Sequence, residues 1–280
     1  MGFTKNIEIK PPFIYGTAWK EDRTEELTRL AIENGFRAID TANQRKHYYE
    51  AGVGDAVAGA IDEGLVDRSE LFLQTKYTYP EGQDDRLPYD PDSSYENQVH
   101  QSLESSLDHL QTNYVDSLVL HGPRSRAGWS DADQSVWESM EQLLATDRVG
   151  TIGVSNVSSN QLKELLSTCD STPEYVQNRC FARRAWDKEI RTICDEHDIV
   201  YQGFSLLTAN QRELQKRDLH EIAEKYNKTI PQIIFSFSLQ VGILPLTGTT
   251  SEQHMKQDLT CLEIQLSPEE IQTIEELAVV

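Results

Sequence analysis

The sequence has no apolar run long enough to span a bilayer, and its start, MGFTKNIEIKPPF, lacks a basic segment followed by an apolar one. Neither a membrane span nor secretion is expected, and the location that follows is cytoplasmic. The N-myristoylation pattern is also incomplete, because Asn6 stands where Ser or Thr is wanted. Cysteine is scarce. Cys169, Cys180, Cys194 and Cys261 show neither paired spacing nor nearby histidine ligands, which predicts free thiols in a reducing compartment. Positive charge is short as well: 26 Lys and Arg against 46 Asp and Glu give a formal net charge of -20. That balance disfavours nucleic acid and anionic membranes as partners. It suits a solubility-driven or salt-adapted surface. His47, His100, His109, His197 and His220 fall in no spacing such as H-E-x-x-H, so they read as surface or helix-face residues and no metal is expected.

What is present is enough apolar material for a large core, 38% of 280 residues, at the right length for one barrel. Eight short apolar runs read as strands: FIYGTA, RAIDTA, LFLQTK, DSLVLH, TIGVSN, EYVQNR, IVYQGF and GILPLT. Seven are followed at once by a helical pattern, as strict βα alternation demands. HEIAEKYNKTIPQIIFSFSLQ reads as one such helix, and SPEEIQTIEEL, opening on Ser267-Pro268, as a late one. Eight is the closure number of a (β/α)8 TIM barrel, so the expected fold is an α/β barrel forming a single domain over residues 1–280. A doubly wound open sheet would want a Gly-rich phosphate loop after its first strand, and the loop here is TAWKEDR.

In such a barrel the strand ends open onto the catalytic face. Asp40 ends RAID, Lys76 ends LFLQTK and His121 ends DSLVLH, while the loop after Asp40 carries Tyr48 and Tyr49. A lysine closing an apolar strand is buried to its ammonium and needs an anion, for which Asp40 on the neighbouring strand is the natural partner. The pair could merely plug the barrel mouth. With a tyrosine beside it, the ammonium stabilises phenolate, lowers a pKa near 10 and brings the phenol into range as a general acid. His121 can then polarise a carbonyl oxygen. Such a set protonates oxygen but supplies no hydride, so a cofactor is required.

These segments in this order resemble the aldo-keto reductase family over nearly the full length of the chain. GTAWK, GFRAIDTA, LFLQTK and VDSLVLHGP are similar to its first-strand, Asp, Lys and His segments. The resemblance implies a (β/α)8 barrel that reduces aldehydes and ketones with NADPH through an Asp-Tyr-Lys-His tetrad, here Asp40, Tyr48, Lys76 and His121. TIGVSNVS resembles the signature that places Ser155 and Asn156 on the nicotinamide carboxamide, with Gln177 as the third such residue. It further implies cofactor roles for Thr17 and Ala18, for Phe204 stacking on the nicotinamide ring, and for Ser205 and Leu206 along the pyrophosphate.

The departures from the family pattern matter equally. The loop from Asp40 to the tyrosine is longer than usual, so the proton donor is Tyr48 or Tyr49; Lys-His-Tyr-x-Glu resembles a divergent branch and favours Tyr48. After the last strand, Leu246 replaces a lysine and His254 stands near an arginine, the two cations that clamp the 2′-phosphate of NADPH. Thr247, Gly248, Thr249 and Thr250 remain to bind phosphate through hydroxyls and amides, with Lys256 as a possible charge and Gln257 and Asp258 in the adenine positions. NADPH is the expected cofactor, with weakened selection against NADH. The chain stops soon after EEIQTIEELAVV, without a long tail over the substrate, which throws specificity onto the loops 77–94 and 122–133 and onto Trp19, Tyr77 and Trp129. The expected partner is a small-molecule carbonyl substrate and the expected state a monomer. Two other readings compete: a non-catalytic nicotinamide-nucleotide-binding regulatory subunit of the same fold, and an aldolase using Lys76 as a Schiff-base nucleophile.

Overall fold

A computed structural model describes residues 9–278; the myristoylation pattern lies outside them. Eight parallel strands close a barrel in chain order, β8 pairing back onto β1. They are β1 (Ile14–Gly16), β2 (Ala38–Asp40), β3 (Phe72–Tyr77), β4 (Val115–Leu120), β5 (Val149–Ser155), β6 (Tyr175–Arg179), β7 (Val200–Phe204) and β8 (Ile243–Thr247). The helices around them are α1 (Thr24–Glu33), α2 (Glu50–Asp62), α3 (Tyr95–Leu110), α4 (Asp131–Leu143), α5 (Ser159–Thr168), α6 (Lys188–Glu196), α7 (Arg217–Tyr226), α8 (Ile230–Gln240), α9 (Glu252–Leu259) and α10 (Pro268–Glu275). The fold class is the (β/α)8 barrel that the eight apolar runs predict. No helix among the described residues is long and apolar enough to cross a membrane, and the four cysteines are free.

Strand parity divides the apolar residues into two cores. Inside the barrel, Ile14, Ala38, Phe72, Tyr175, Leu244 and Leu246 form one cluster, with Phe72 and Tyr175 edge to face at 5.5 Å. Their strand neighbours face outward and join the larger cluster beneath the helices, which includes Tyr15, Ile39, Leu73, Tyr77 and Val176. Two residues further along β2, β3 and β6, above the apolar plug, the inward positions become polar: Asp40, Gln74 and Gln177. Asp40 is in register with Gln74, and Gln177 with Gln202.

Two helices differ from the sequence reading. The segment read as one helix from His220 to Gln240 is two, α7 and α8. Asn227 turns left-handed at φ 50, and Thr229 caps α8 in a reciprocal box with Gln232, with Pro231 in the first turn. The apolar pattern runs through this break, which is why periodicity alone joined the pieces. Helix α4 starts at Asp131, four residues before the helical pattern SVWESMEQLLATDRVG that the sequence shows, because Ser130 and Asp133 form a capping box.

Candidate active site

A cavity of about 1180 Å³ opens at the C-terminal ends of the strands. Its floor is Asp40. The carboxylate Oδ1 accepts from Lys76 Nζ at 2.5 Å, from Gln74 Nε2 at 2.7 Å and from Gln177 Nε2 at 2.9 Å. Lys76 Nζ also donates to the Thr41 carbonyl at 2.8 Å. Gln74 and Gln202 exchange amide hydrogen bonds across the barrel at 2.9 and 3.0 Å, and Gln177 donates to Gln202 at 2.9 Å. A buried ion pair repays its desolvation only with further hydrogen bonds; Gln74 and Gln177 supply two to Asp40, Thr41 takes one from Lys76, and Gln202 holds both glutamines in place. Burial lowers the Lys76 pKa while Asp40 opposes the shift.

Tyr48 stands over this pair, half-buried, with Lys76 Nζ 5.3 Å from its ring centre. The His121 ring meets it edge to face at 5.8 Å. The Tyr48 hydroxyl has no hydrogen bond among the described residues, so it is available to a ligand. Its pKa departs from the sequence expectation. Burial, with the Asp40 charge beside it, raises the phenol above its usual range. The expected lowering by Lys76 fails because that ammonium is spent on Asp40 and Thr41. The phenol therefore holds its proton. His121 is pushed down to about 3, first by burial and then by the charges of Lys76 and His47, so its imidazole is neutral. Thr78 Oγ1 lies 2.8 Å from its Nδ1. Tyr49 does not line the cavity: it packs under the Arg45 guanidinium at 4.5 Å.

Around the walls the structure brings together most of the residues singled out from the sequence. Ala18, Trp19, Ser155, Asn156, Gln177, Phe204, Ser205, Leu206, Thr247, Gly248, Thr249, Thr250, His254, Gln257 and Asp258 all line the cavity. Asn156 Nδ2 donates to the His121 carbonyl at 2.8 Å and to Ser155 Oγ at 3.0 Å, and Ser155 Oγ donates to the Gln177 carbonyl at 2.6 Å. The side-chain nitrogens of Asn156 and Gln177 are thus engaged within the protein, and what they offer a ligand is oxygen. Thr247 donates to Asp258 at 2.8 Å; burial pushes that carboxyl up to about 7 against this bond.

Four expected residues fall elsewhere. Thr17 faces outward and donates to the Asp40 carbonyl at 2.9 Å, so it holds β2 without lining the cavity. Tyr77 follows the inward Lys76 and by parity points out, donating to Gln98 at 2.9 Å under α3. Trp129 packs against the outer core and donates to Gln134 at 3.2 Å. Lys256 pairs with Glu252 at 2.6 Å one turn away on α9, which accounts for its charge.

The sequence reading missed others. Lys20 lines the cavity with its Nζ on the Gly248 carbonyl at 2.7 Å, and it has no carboxylate partner among the described residues. Burial, with Arg23 second, lowers its pKa to about 8. Its signal was the polar end of GTAWK. Thr78 and Tyr79, just past β3, take the place expected of Tyr77. His47, read as a surface residue, lines the cavity and stacks on Trp19 at 4.0 Å. Glu81 and Arg124 pair across the rim at 2.7 Å, joining the loops after β3 and β4.

A barrel with a protonated tyrosine, a buried lysine–aspartate pair and a neutral histidine at its strand ends is an enzyme scaffold, and comparison with known proteins says which. The aldo/keto reductase family profile matches residues 13–279. Glyoxal reductase of Bacillus subtilis is 31% identical, covering 90% of this chain and 82% of the relative. The 9,11-endoperoxide prostaglandin H2 reductase of Trypanosoma cruzi is 28% identical over 98% of this chain and 90% of its own. Among solved structures, an aldo/keto reductase of Brucella melitensis superposes with a TM-score of 0.80 at 27% identity, covering 95% of this chain and 94% of that one. A Bombyx mori aldo-keto reductase solved in complex with NADP gives 0.79 at 25% identity, covering 95% and 89%. The chain belongs to the aldo/keto reductase family and is an oxidoreductase.

Proposed function

We propose that this protein, working as one barrel domain, reduces aldehyde or ketone carbonyls to alcohols with NADPH, Tyr48 acting as the general acid. The observation that carries this reading is the meeting of Tyr48, His121 and Asp40 at one cavity, with Lys76 buried beneath on Asp40 and 5.3 Å from the Tyr48 ring centre. The residues fit a nicotinamide dinucleotide. At one end, the free oxygens of Asn156 and Gln177 match the amino group of a carboxamide, and Phe204 offers a ring. At the other, Lys20 is a buried cation in need of an anion beside the Thr247–Thr250 loop, in a chain whose overall charge repels one. When bound, the cofactor supplies the hydride that the carbonyl carbon receives.

The chain's own residues handle the proton and the oxygen. In this reading Thr78 is the donor to His121 Nδ1, 2.8 Å away, and the neutral imidazole keeps its hydrogen on Nε2 to hold the substrate oxygen. Tyr48 keeps its proton until charge develops on that oxygen, and then donates it. The Lys76 ammonium, 5.3 Å from the Tyr48 ring centre, is held by Asp40 and Thr41 at rest and is the nearest cation to the phenolate once the proton has left. Asp40 and the glutamines keep that ammonium in place, and their failure would show as a loss of proton transfer, not of binding.

NADPH and NADH titrations of the purified protein, read by tryptophan quenching and followed by assays with simple aldehydes, test the proposal. Tight NADPH binding with aldehyde-dependent oxidation of the cofactor supports it, and binding of neither nucleotide overturns it. Leu246 is buried at the position where the sequence comparison wanted a lysine, so the 2′-phosphate has weak support there. Comparable turnover with both nucleotides at equal low concentration is the expected result; a preference for NADPH above about a hundredfold contradicts the weakened selectivity.

A further inference from the structure

His47 precedes Tyr48, lines the same cavity and has no part in the chemistry above. Its position is fixed from several directions. Its ring stacks on Trp19 with centroids 4.0 Å apart, and the Trp19 amide donates to its carbonyl at 2.8 Å. Its Nδ1 lies 2.9 Å from Gln44 Oε1, and Gln44 Nε2 donates to the Gly82 carbonyl at 2.6 Å.

This chain of bonds fixes the tautomer. A carbonyl only accepts, so the nitrogen of the Gln44 amide must face Gly82 and its oxygen must face His47. Nδ1 of His47 therefore carries the hydrogen and donates it. In a neutral imidazole the other nitrogen is then a bare lone pair. Nε2 of His47 has no hydrogen bond among the described residues. Burial and the neighbouring Lys46 hold the ring below the usual imidazole range, so it is neutral near pH 7.

The substrate end of the cavity thus has two donors, the Tyr48 hydroxyl and the His121 N–H, and on the residue next to Tyr48 a bare acceptor, His47 Nε2. A carbonyl oxygen takes up the donors. A plain aldehyde brings nothing for the acceptor. A hydroxyl on the carbon next to the carbonyl brings the missing hydrogen, and the surrounding wall of Gln44, Thr78, Glu81 and Arg124 is itself polar. Resting on the carbonyl-reductase reading above, we propose that His47 is a specificity-determining residue that accepts a hydrogen bond from a hydroxyl adjacent to the substrate carbonyl. The preferred substrates are then small α-hydroxycarbonyl compounds over their deoxy counterparts.

The test compares 2-hydroxypropanal with propanal, which differ by that one hydroxyl. The wild type is expected to favour 2-hydroxypropanal in kcat/KM, mostly through KM. His47→Phe keeps a ring against Trp19 and removes the acceptor; the ratio of the two kcat/KM values should fall about tenfold, as for loss of one hydrogen bond. Gln44→Leu removes the group that fixes the tautomer and should move the ratio the same way. An NADPH titration of each variant establishes that it is folded. A ratio within twofold of wild type in both variants overturns the proposal. Failure of the wild type to turn over either aldehyde, with NADPH bound, instead overturns the reductase reading, and this inference with it.

Discussion

Lys76 is buried, and its ammonium is held by Asp40 and the Thr41 carbonyl. Lys76→Met would leave the Asp40 charge buried without its partner, so a loss of about 3–5 kcal/mol in unfolding free energy is expected, read from urea melts. His121 makes a second prediction. With its folded pKa near 3 and an unfolded value near 6.5, only the unfolded chain gains this proton as pH falls between the two. The contribution of neutral His121 to stability is therefore present above pH 6.5 and lost toward 3. His121→Asn should lose less Tm than wild type between pH 7 and pH 5, and an identical slope would contradict the assignment. Residue by residue, the proposed tetrad could be picked out of the sequence because Asp40, Lys76 and His121 each end an apolar run, and the structure brings them to one end of the barrel with Tyr48. It misled on Tyr77 and Thr17, whose neighbours Lys76 and Gly16 occupy the inward positions. Gln74 and Gln202 stood in plain view inside LFLQTK and IVYQGF, but only barrel closure shows that they meet.

At the level of elements, the eight strands were legible because each is a short apolar run followed by a helical period. The break between α7 and α8 was not, since both flanks share one apolar pattern and the stop lies in the backbone of Asn227. Close approach between helices is equally invisible to pattern. In α2, a Cβ on Gly54 would sit 2.0 Å from the His109 carbonyl oxygen at the end of α3. Alanine is worth about 1 kcal/mol over glycine in a free helix, but here one helix must shift away from the other. Gly54→Ala should therefore destabilise the protein by about 1–3 kcal/mol in a denaturant melt. A stabilised variant would mean that α2 and α3 are not held this closely.

For the molecule as a whole, the net charge of -20 means that folding gathers a large excess of carboxylates into one body. Many cations are tied in exposed pairs, such as Arg29 with Glu33 and Glu63, which contribute little each and cannot neutralise the excess. Salt shortens the Debye length from about 30 Å at 0.01 M to about 3 Å at 1 M and so relieves the repulsion. Tm should rise across that range of KCl; a fall would show that attraction within ion pairs outweighs the net charge. The same acidity makes the cation-bearing cavity stand out as a place for an anionic cofactor. The central claim remains that this cavity transfers a proton from Tyr48. It is tested most directly by Tyr48→Phe at saturating NADPH, monitoring cofactor oxidation by an aldehyde alongside the nucleotide Kd. The account predicts a loss of turnover of at least about a hundredfold with Kd nearly unchanged. Turnover within a few-fold of wild type would contradict it.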